Sequence, residues 1–195
     1  MGFHVDYEPR IPLKLEIFYI FGSNLIGNVE LAVYDPVLNS DDPGAVLDNP
    51  PQLLHLGLEN FSRSEIDDLK KKYCKGDEVI AVSSRVSVNG SDFHLPQIDF
   101  TCENSRDRTN LILYALQEGG QTGSLVASGR SYHFYGDWIM TPENWVEYMK
   151  HIRDAHISGE YVTIALDRGY SALRISTCRH KPHEPYVLAR IRKVQ

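Results

Sequence analysis

The sequence predicts a mixed α/β (α+β) protein, and three observations support this. Its 195 residues are 42% hydrophobic and 24% charged, which is ordinary for a globular protein with a buried core. Short alternating or apolar runs typical of strands recur along the chain, and capped segments with helical spacing lie between them. No apolar run approaches the roughly 20 residues that span a bilayer. We therefore expect a single domain over residues 1–195 with no membrane partner.

The first part of the chain, about residues 1–92, is predicted to be an N-terminal extension of strands with one helix. Residues 13–21 begin with period-two alternation and end in an apolar run, and residues 28–34 alternate in the same way. The two segments are expected to pair as a hairpin across the turn at 22–27. Residues 35–51 are rich in Asp, Asn, Pro and Gly, which predicts a loop.

A helix is predicted after this loop. Ser62 and Glu65 form the S-x-x-E pattern of a capping box, and apolar residues follow at helical spacing from Ile66. Residues 78–87 are the next candidate strand.

The second part, about residues 93–195, predicts a regular alternation of strands and helices. Thr141 and Pro142 suit the cap and first position of its second helix. The order β-α-β-β-α-β is that of the split βαβ unit found in ferredoxin-like and RNA-recognition (RRM-like) folds. The predicted elements are a strand at 95–101, a helix at 106–117, strands at 124–128 and 131–135, a helix from 142, and strands at 160–166 and 171–176.

Charge is distributed unevenly. The net charge is −6, but residues 168–195 contain seven Lys or Arg and one acid, so this end carries +6 and the remainder −12. A basic end on an acidic body favours an anionic partner, although pairing of these cations with the acidic remainder explains the pattern equally well. Three separated cysteines without a CxxC pair and an N-terminus unlike a secretory signal predict a cytoplasmic protein.

The first candidate site residue is Asp99. It lies between Ile98 and Phe100 on a predicted strand, so that if these two face the core, Asp99 faces the opposite side. There its carboxylate could hold a hard divalent cation, with Glu103 nearby. An exposed aspartate near a strand end is the plain alternative.

The second candidate group is on the predicted hairpin at 128–136. Alternation places Ser131 and His133 on one face and the aromatic Tyr132 and Phe134 on the other. Arg130 in the preceding turn adds a guanidinium at the same edge, so Arg130, Ser131 and His133 are candidate phosphate ligands. A hairpin with a surface histidine would show the same pattern.

The third candidate group follows at 167–183. Arg174 interrupts an apolar strand, and arginines in strands usually contact an acid or a phosphate. Asp167 opens this segment, and Lys181 lies on a proline-flanked loop. Cys178 lies close to two histidines, His180 and His183, but the spacing is poor for a structural zinc site.

These three groups resemble the motifs of the archaeo-eukaryotic primase superfamily, and more closely its bacterial single-aspartate (primase-1D-like) branch. The matching positions are Asp99 for the acidic motif, Ser131 and His133 for the S-x-H motif, and Asp167 with Arg174 for the third motif. The resemblance covers roughly residues 95–190. It implies a primase-polymerase-like fold, Mg²⁺ or Mn²⁺ on Asp99 and Asp167, and nucleotide phosphates on His133 and Arg174.

The function that this resemblance implies is nucleotidyl transfer from NTP or dNTP to a single-stranded or template nucleic acid. Asp99, His133 and Asp167 would be catalytic, while Arg130, Ser131, Arg174 and Lys181 would bind the nucleotide. Thr101 stands where active members usually carry a second carboxylate. This favours the alternative of an inactive nucleotide-binding or nucleic-acid-binding module. A purely structural interaction protein is a third alternative.

Overall fold

The computed structural model describes residues 2–13, 27–36, 50–154 and 159–194. Within these ranges no helix is long and apolar enough to cross a membrane. The elements, in chain order, are β1 (Phe3–Pro12), β2 (Asn28–Tyr34), β3 (Gln52–Gly57), α1 (Arg63–Tyr73), β4 (Val79–Val88), β5 (Ser91–His94), β6 (Gln97–Phe100), α2 (Arg106–Glu118), β7 (Gly123–Ala127), β8 (Tyr132–Gly136), α3 (Pro142–Asp154), α4 (Gly159–Arg168), β9 (Ala172–Arg174) and β10 (Tyr186–Lys193).

Two sheets organise these strands. The first sheet has the order β1-β10-β7-β8-β6, and the second has the order β3-β2-β4-β5 with β9 also paired to β4. In the first sheet β8 is antiparallel to both β6 and β7, so β6 and β7 are parallel and joined by α2. This arrangement is the predicted split βαβ unit, and the mixed α+β fold class is confirmed.

The predicted strand at residues 160–166 is wrong, because this segment is part of helix α4. Its β-branched run resembles a strand locally, but Val162 and Ala165 are buried at helical spacing. Glu160 and Arg168 occupy the first and last turns, where their charges suit the helix dipole. Gly169, with φ of +73°, follows the helix in the left-handed conformation that ends many helices.

The next predicted strand, 171–176, exists in shortened form as β9, but it does not complete the split βαβ sheet. Instead β9 pairs with β4 in the second sheet, with Leu173 opposite Val82. The position beside β7 is taken by β10, and β1 pairs with the outer edge of β10. Each sheet therefore contains a strand from the opposite end of the chain.

Several other predictions are confirmed. The Ser62 hydroxyl accepts a hydrogen bond from the amide of Glu65, as expected for the N-cap of α1. The strands predicted at 78–87 and 131–135 correspond to β4 and β8. Apart from Leu13, the predicted strand at 13–21 lies outside the described residues, as does most of the predicted loop at 35–51.

The first sheet lies between helices α2, α3 and α4 on one side and the second sheet on the other, where α1 also packs. Ile98, Phe100 and Phe134 on one face pack with apolar residues of α2, α3 and α4. Val126 and Tyr135 on the opposite face pack with residues of the second sheet. The molecule is thus built in three layers, helix on sheet on sheet, and the candidate site lies on the inner face between the two sheets.

Candidate functional site

Asp99 and His133 are directly opposite each other on β6 and β8. Because directly paired residues in an antiparallel sheet point to the same side, both belong to the face turned toward the second sheet. The Asp99 Oδ1 atom is 3.6 Å from the His133 Nε2 atom. Ile98 and Phe100 face the helices, so the predicted orientation of Asp99 is confirmed.

The chain around this pair is fixed by short main-chain contacts. The Ser131 hydroxyl donates to the carbonyl oxygen of Phe100, and the amide of Asn104 donates to the carbonyl of Arg130 at 2.8 Å. The Tyr132 hydroxyl donates to the carbonyl of Ser105 at 2.7 Å. These bonds join the end of β6 to the turn before β8. The Ser131 hydroxyl therefore holds the main chain, and its role as a phosphate ligand stays a prediction.

Arg174 is buried, with only 5% of its surface exposed, and its guanidinium is largely occupied by the main chain. Its Nη1 donates to the carbonyls of Ser176 (2.6 Å) and His183 (3.1 Å), and its Nη2 donates to that of Ser128 (2.5 Å). Burial lowers the pKa of Arg174. The side chain joins three separate segments around the site, and its charge remains near Asp99 and His133.

A cavity of about 840 Å³ opens beside these residues and is lined by both sheets, α4 and the segment after β9. This volume is in the range of small-molecule and cofactor sites. Among the described residues, four cationic side chains and several aromatic ones line it. The cationic residues are Arg130, Arg168, Arg174 and Lys181, and the aromatic ones include Tyr34, Tyr161 and Tyr170.

Helix α4 supplies residues that the sequence-based interpretation missed. Glu160, Ile164 and Arg168, at every fourth position, line the cavity. Asp167 is exposed on another face of the helix and does not line the cavity. The structure thus brings Asp99, Arg130, Ser131, His133, Arg174 and Lys181 together but leaves Asp167 outside. A helix predicted over 160–168, ending at Gly169, would have placed Arg168 on the same helix face as Glu160 and Ile164.

The environment shifts the pKa values of the central pair in opposite directions. Burial raises the pKa of Asp99 to about 7, opposed by the positive charges of Lys181 and Arg174. Burial lowers the pKa of His133 to about 3, reinforced by the same two cations. At neutral pH His133 is therefore a neutral imidazole beside a carboxyl group that is partly ionised.

The buried Nδ1 atom of His133 has no hydrogen-bond partner among the residues that the structure describes. A buried polar atom without a partner is costly, and such atoms in native proteins usually meet a ligand or an ordered water. His133 also lines the cavity, so this unsatisfied imidazole lies at the cavity wall.

The donors at this site suit a divalent cation only in part. Within the described ranges, no group of three or more His, Cys, Asp or Glu side chains could hold a metal ion, and this includes the histidines after Cys178. Asp99 and Glu160 are the carboxylates among the cavity-lining residues. Mg²⁺ commonly binds one or two carboxylates and completes its coordination with water and substrate phosphates. The residues present therefore fit a cation that arrives with a polyphosphate.

The split βαβ sheet thus carries an aspartate opposite a histidine, beside a cation-lined cavity. The family model described as "AEP-like: Archaeo-eukaryotic primase 1D-like" matches residues 59–186, about two thirds of the chain. The chain therefore belongs to this archaeo-eukaryotic primase 1D-like family.

Comparison with solved structures gives a match to the crystal structure of primase RepB', with 11% sequence identity and a TM-score of 0.48. The alignment covers 91% of this chain and 56% of that chain, so this chain corresponds to little more than half the length of RepB'. Comparison with curated proteins gives no significant match.

Proposed function

We propose that this protein binds a nucleoside triphosphate together with Mg²⁺ or Mn²⁺ and transfers the nucleotidyl group to a nucleic-acid strand. The observation that carries the proposal is the pairing of Asp99 with His133 at a cavity lined by four cationic side chains. Family membership is consistent with this chemistry.

Asp99 would hold the divalent cation, and Glu160 is the other carboxylate on the cavity wall that could take part. When bound, such a cation would supply positive charge that offsets the charge of the phosphates. Asp167 is left out of this assignment because its exposed side chain does not line the cavity. Ionisation of Asp99 is needed for this role, and the nearby Lys181 and Arg174 favour its charged form.

The phosphates would meet His133, Arg130, Arg168 and Lys181. A neutral His133 can donate one hydrogen bond and accept another, and its buried Nδ1 atom has no partner among the described residues. The guanidinium and ammonium groups would stabilise the charge that develops on the triphosphate in the transition state. Arg174 would contribute its positive charge, with most of its hydrogen bonds directed to the main chain.

The test is incubation with Mn²⁺, labelled NTPs or dNTPs and single-stranded DNA, with products separated on a denaturing gel. Asp99→Asn removes the proposed cation ligand, and Asp167→Asn is the matched control with the same change of charge outside the cavity. We expect labelled products from the wild type and Asp167→Asn and a loss of at least about 100-fold in Asp99→Asn. Equal activity of the two variants would contradict the assignment of Asp99.

A nucleotide-binding module without catalysis is the second candidate. It is favoured by Thr101, which lines the cavity where a further carboxylate would be expected, and by the small number of acidic ligands. This function predicts that the protein binds a triphosphate, that His133→Ala weakens binding, and that no labelled product forms. Folded protein that binds neither nucleotide nor nucleic acid would instead point to a structural interaction protein.

A further inference from the structure

After Arg174, the cationic side chains of the basic end lie in two places with different electrostatic surroundings. On β10, Arg190 is 3.1 Å from a Glu8 carboxylate oxygen, and Arg192 is 3.6 Å from Asp6. Both acids belong to β1, the strand paired with β10. The charges of these two arginines are thus offset by acidic neighbours, which weakens the case for β10 as a surface for an anionic partner.

The second location is the segment 177–184, between β9 and β10. Its turn is closed by two reciprocal main-chain hydrogen bonds, from the Cys178 amide to the Lys181 carbonyl (3.1 Å) and from the Lys181 amide to the Cys178 carbonyl (3.2 Å). Between them lie Arg179 and His180. Arg179, His180 and Lys181 are all exposed, and the turn therefore presents its cationic side chains to solvent.

This turn forms part of the rim of the cavity. His180, Lys181 and His183 line the cavity, and half of the His180 side chain remains exposed. Arg179 does not line the cavity and lies on the neighbouring exposed surface. Arg179 is thus a cationic side chain of this turn that lies outside the cavity, two residues from Lys181.

The segment is held on both of its sides. On the inner side Arg174 donates to the His183 carbonyl at 3.1 Å. On the outer side contacts come from α1 and the turn after it. These outer contacts are Lys70 Nζ to Thr177 Oγ1 (3.1 Å), Asp77 Oδ2 to His180 Nε2 (3.3 Å) and Arg63 Nη2 to Glu184 Oε2 (3.8 Å). A turn fixed in this way presents its charges without first having to be ordered, which favours binding.

We propose that segment 177–184 binds the phosphate backbone of a single-stranded nucleic acid at the rim of the cavity, with Arg179 as a contact outside the nucleotide site. This inference rests on the proposed function and identifies the surface that holds the nucleic-acid partner. Single strands are favoured because an extended, flexible backbone can follow a rim into a cavity, and such binding relies on cationic side chains along the path.

Arg179→Gln and Arg192→Gln form a matched pair for the test, since both remove one positive charge from the same basic end of the chain. Fluorescence anisotropy would follow binding of labelled single-stranded DNA and RNA oligonucleotides, without nucleotide or metal, across a range of salt concentrations. We expect Arg179→Gln to lower affinity about fivefold and to reduce the slope of log K against log salt by about 0.7. Arg192→Gln should match the wild type in both measurements.

Two outcomes would overturn the proposal: wild-type protein that binds neither oligonucleotide at low salt, or an equal loss of affinity in both variants. Thermal unfolding of each variant shows whether a loss of binding reflects a loss of folding. Should Arg179→Gln fail to fold, Arg179→Lys, which keeps the charge, should bind like the wild type, and Arg179→Ala should not. The anisotropy measurement contains no nucleotide, so a negative result would reject the role of segment 177–184 alone. Triphosphate binding at Asp99 and His133 is tested separately by the nucleotidyl-transfer assay.

Discussion

The Asp99 carboxyl group and the His133 imidazole face each other across neighbouring strands. Burial raises the pKa of Asp99 and lowers that of His133, so that the carboxyl group has the higher pKa of the two. The pKa of Asp99 rises from 3.8 to about 7, and that of His133 falls from 6.5 to about 3. Burial thus favours the neutral form of both groups.

The pair predicts a specific pH dependence of stability. Protonated Asp99 favours the folded state below about pH 4, and this contribution is lost as the pH rises toward 7. Neutral His133 favours the folded state above pH 6.5, and this contribution is lost as the pH falls toward 3. Between pH 4 and 6.5 the two contributions oppose each other, so they should partly cancel in the wild type.

Asp99→Asn should therefore expose the contribution of His133, and the free energy of unfolding should rise more steeply between pH 4 and 6.5 than in the wild type. His133→Gln should show the opposite trend, because the Asp99 contribution then remains. Urea unfolding at several pH values would measure both slopes. Parallel curves for the wild type and both variants would show that the pair does not titrate in this way.

Arg174→Lys should destabilise the protein by about 2–4 kcal/mol, because an ammonium group cannot reach three carbonyls spread over three segments. Hydrogen exchange should accelerate in residues 128–131 and 177–184 together. Arg130→Lys, at an exposed position, is the control and should change the free energy of unfolding by less than about 0.5 kcal/mol. Unchanged exchange in both segments of Arg174→Lys would argue against this clamping role.

Thr101→Asp should strengthen Mn²⁺ binding, since it adds a carboxylate to a cavity that already contains Asp99. We expect an increase in affinity on the order of tenfold. Titration of free Mn²⁺ by electron paramagnetic resonance would measure it, with Thr101→Asn as a control of the same shape without the charge. Equal affinities of the two variants would place residue 101 too far from the cation.

Gly123→Ala should be strongly destabilising. Gly123 has φ of +141°, and a Cβ atom at this position would overlap the Tyr135 carbonyl oxygen on the neighbouring strand. A cost above about 3 kcal/mol is expected, measured by thermal or urea unfolding. Gly120→Ala is the comparison, since φ is +69° but nothing lies within 4 Å, and its cost should be only about 1–2 kcal/mol. Similar losses of unfolding free energy in the two variants would show that the neighbouring strand shifts to accommodate the added methyl group at position 123.

Local patterns were sufficient to predict much of the fold. Alternation around Asp99 and His133 predicted which side chains share a face, and the capping box at Ser62 predicted the start of α1. The same method failed for α4, because its β-branched residues favour a strand locally while packing of Val162 and Ala165 stabilises a helix. Secondary-structure propensity is a weak predictor of a segment whose conformation is determined by tertiary packing.

The site was less predictable because its contacts are distant in sequence. The carbonyl partners of Arg174 lie as far away in the sequence as Ser128. Every residue has a main-chain carbonyl, so residue types do not indicate which carbonyl will accept a hydrogen bond. Ser131 likewise donates to the carbonyl of Phe100. The sequence therefore shows that an arginine or serine in a strand must make a polar contact. Only the folded structure shows which group is its partner.

The exchange of strands between the two sheets has a consequence for how the protein folds. β1 completes a sheet made mainly of later strands, and β9 completes a sheet made mainly of earlier ones. Cutting the chain near residue 92 would leave each fragment with an unpaired strand edge. We expect the two sheets to unfold cooperatively, and the pairing of β1 with β10, nearly the full chain length apart, to make folding slow.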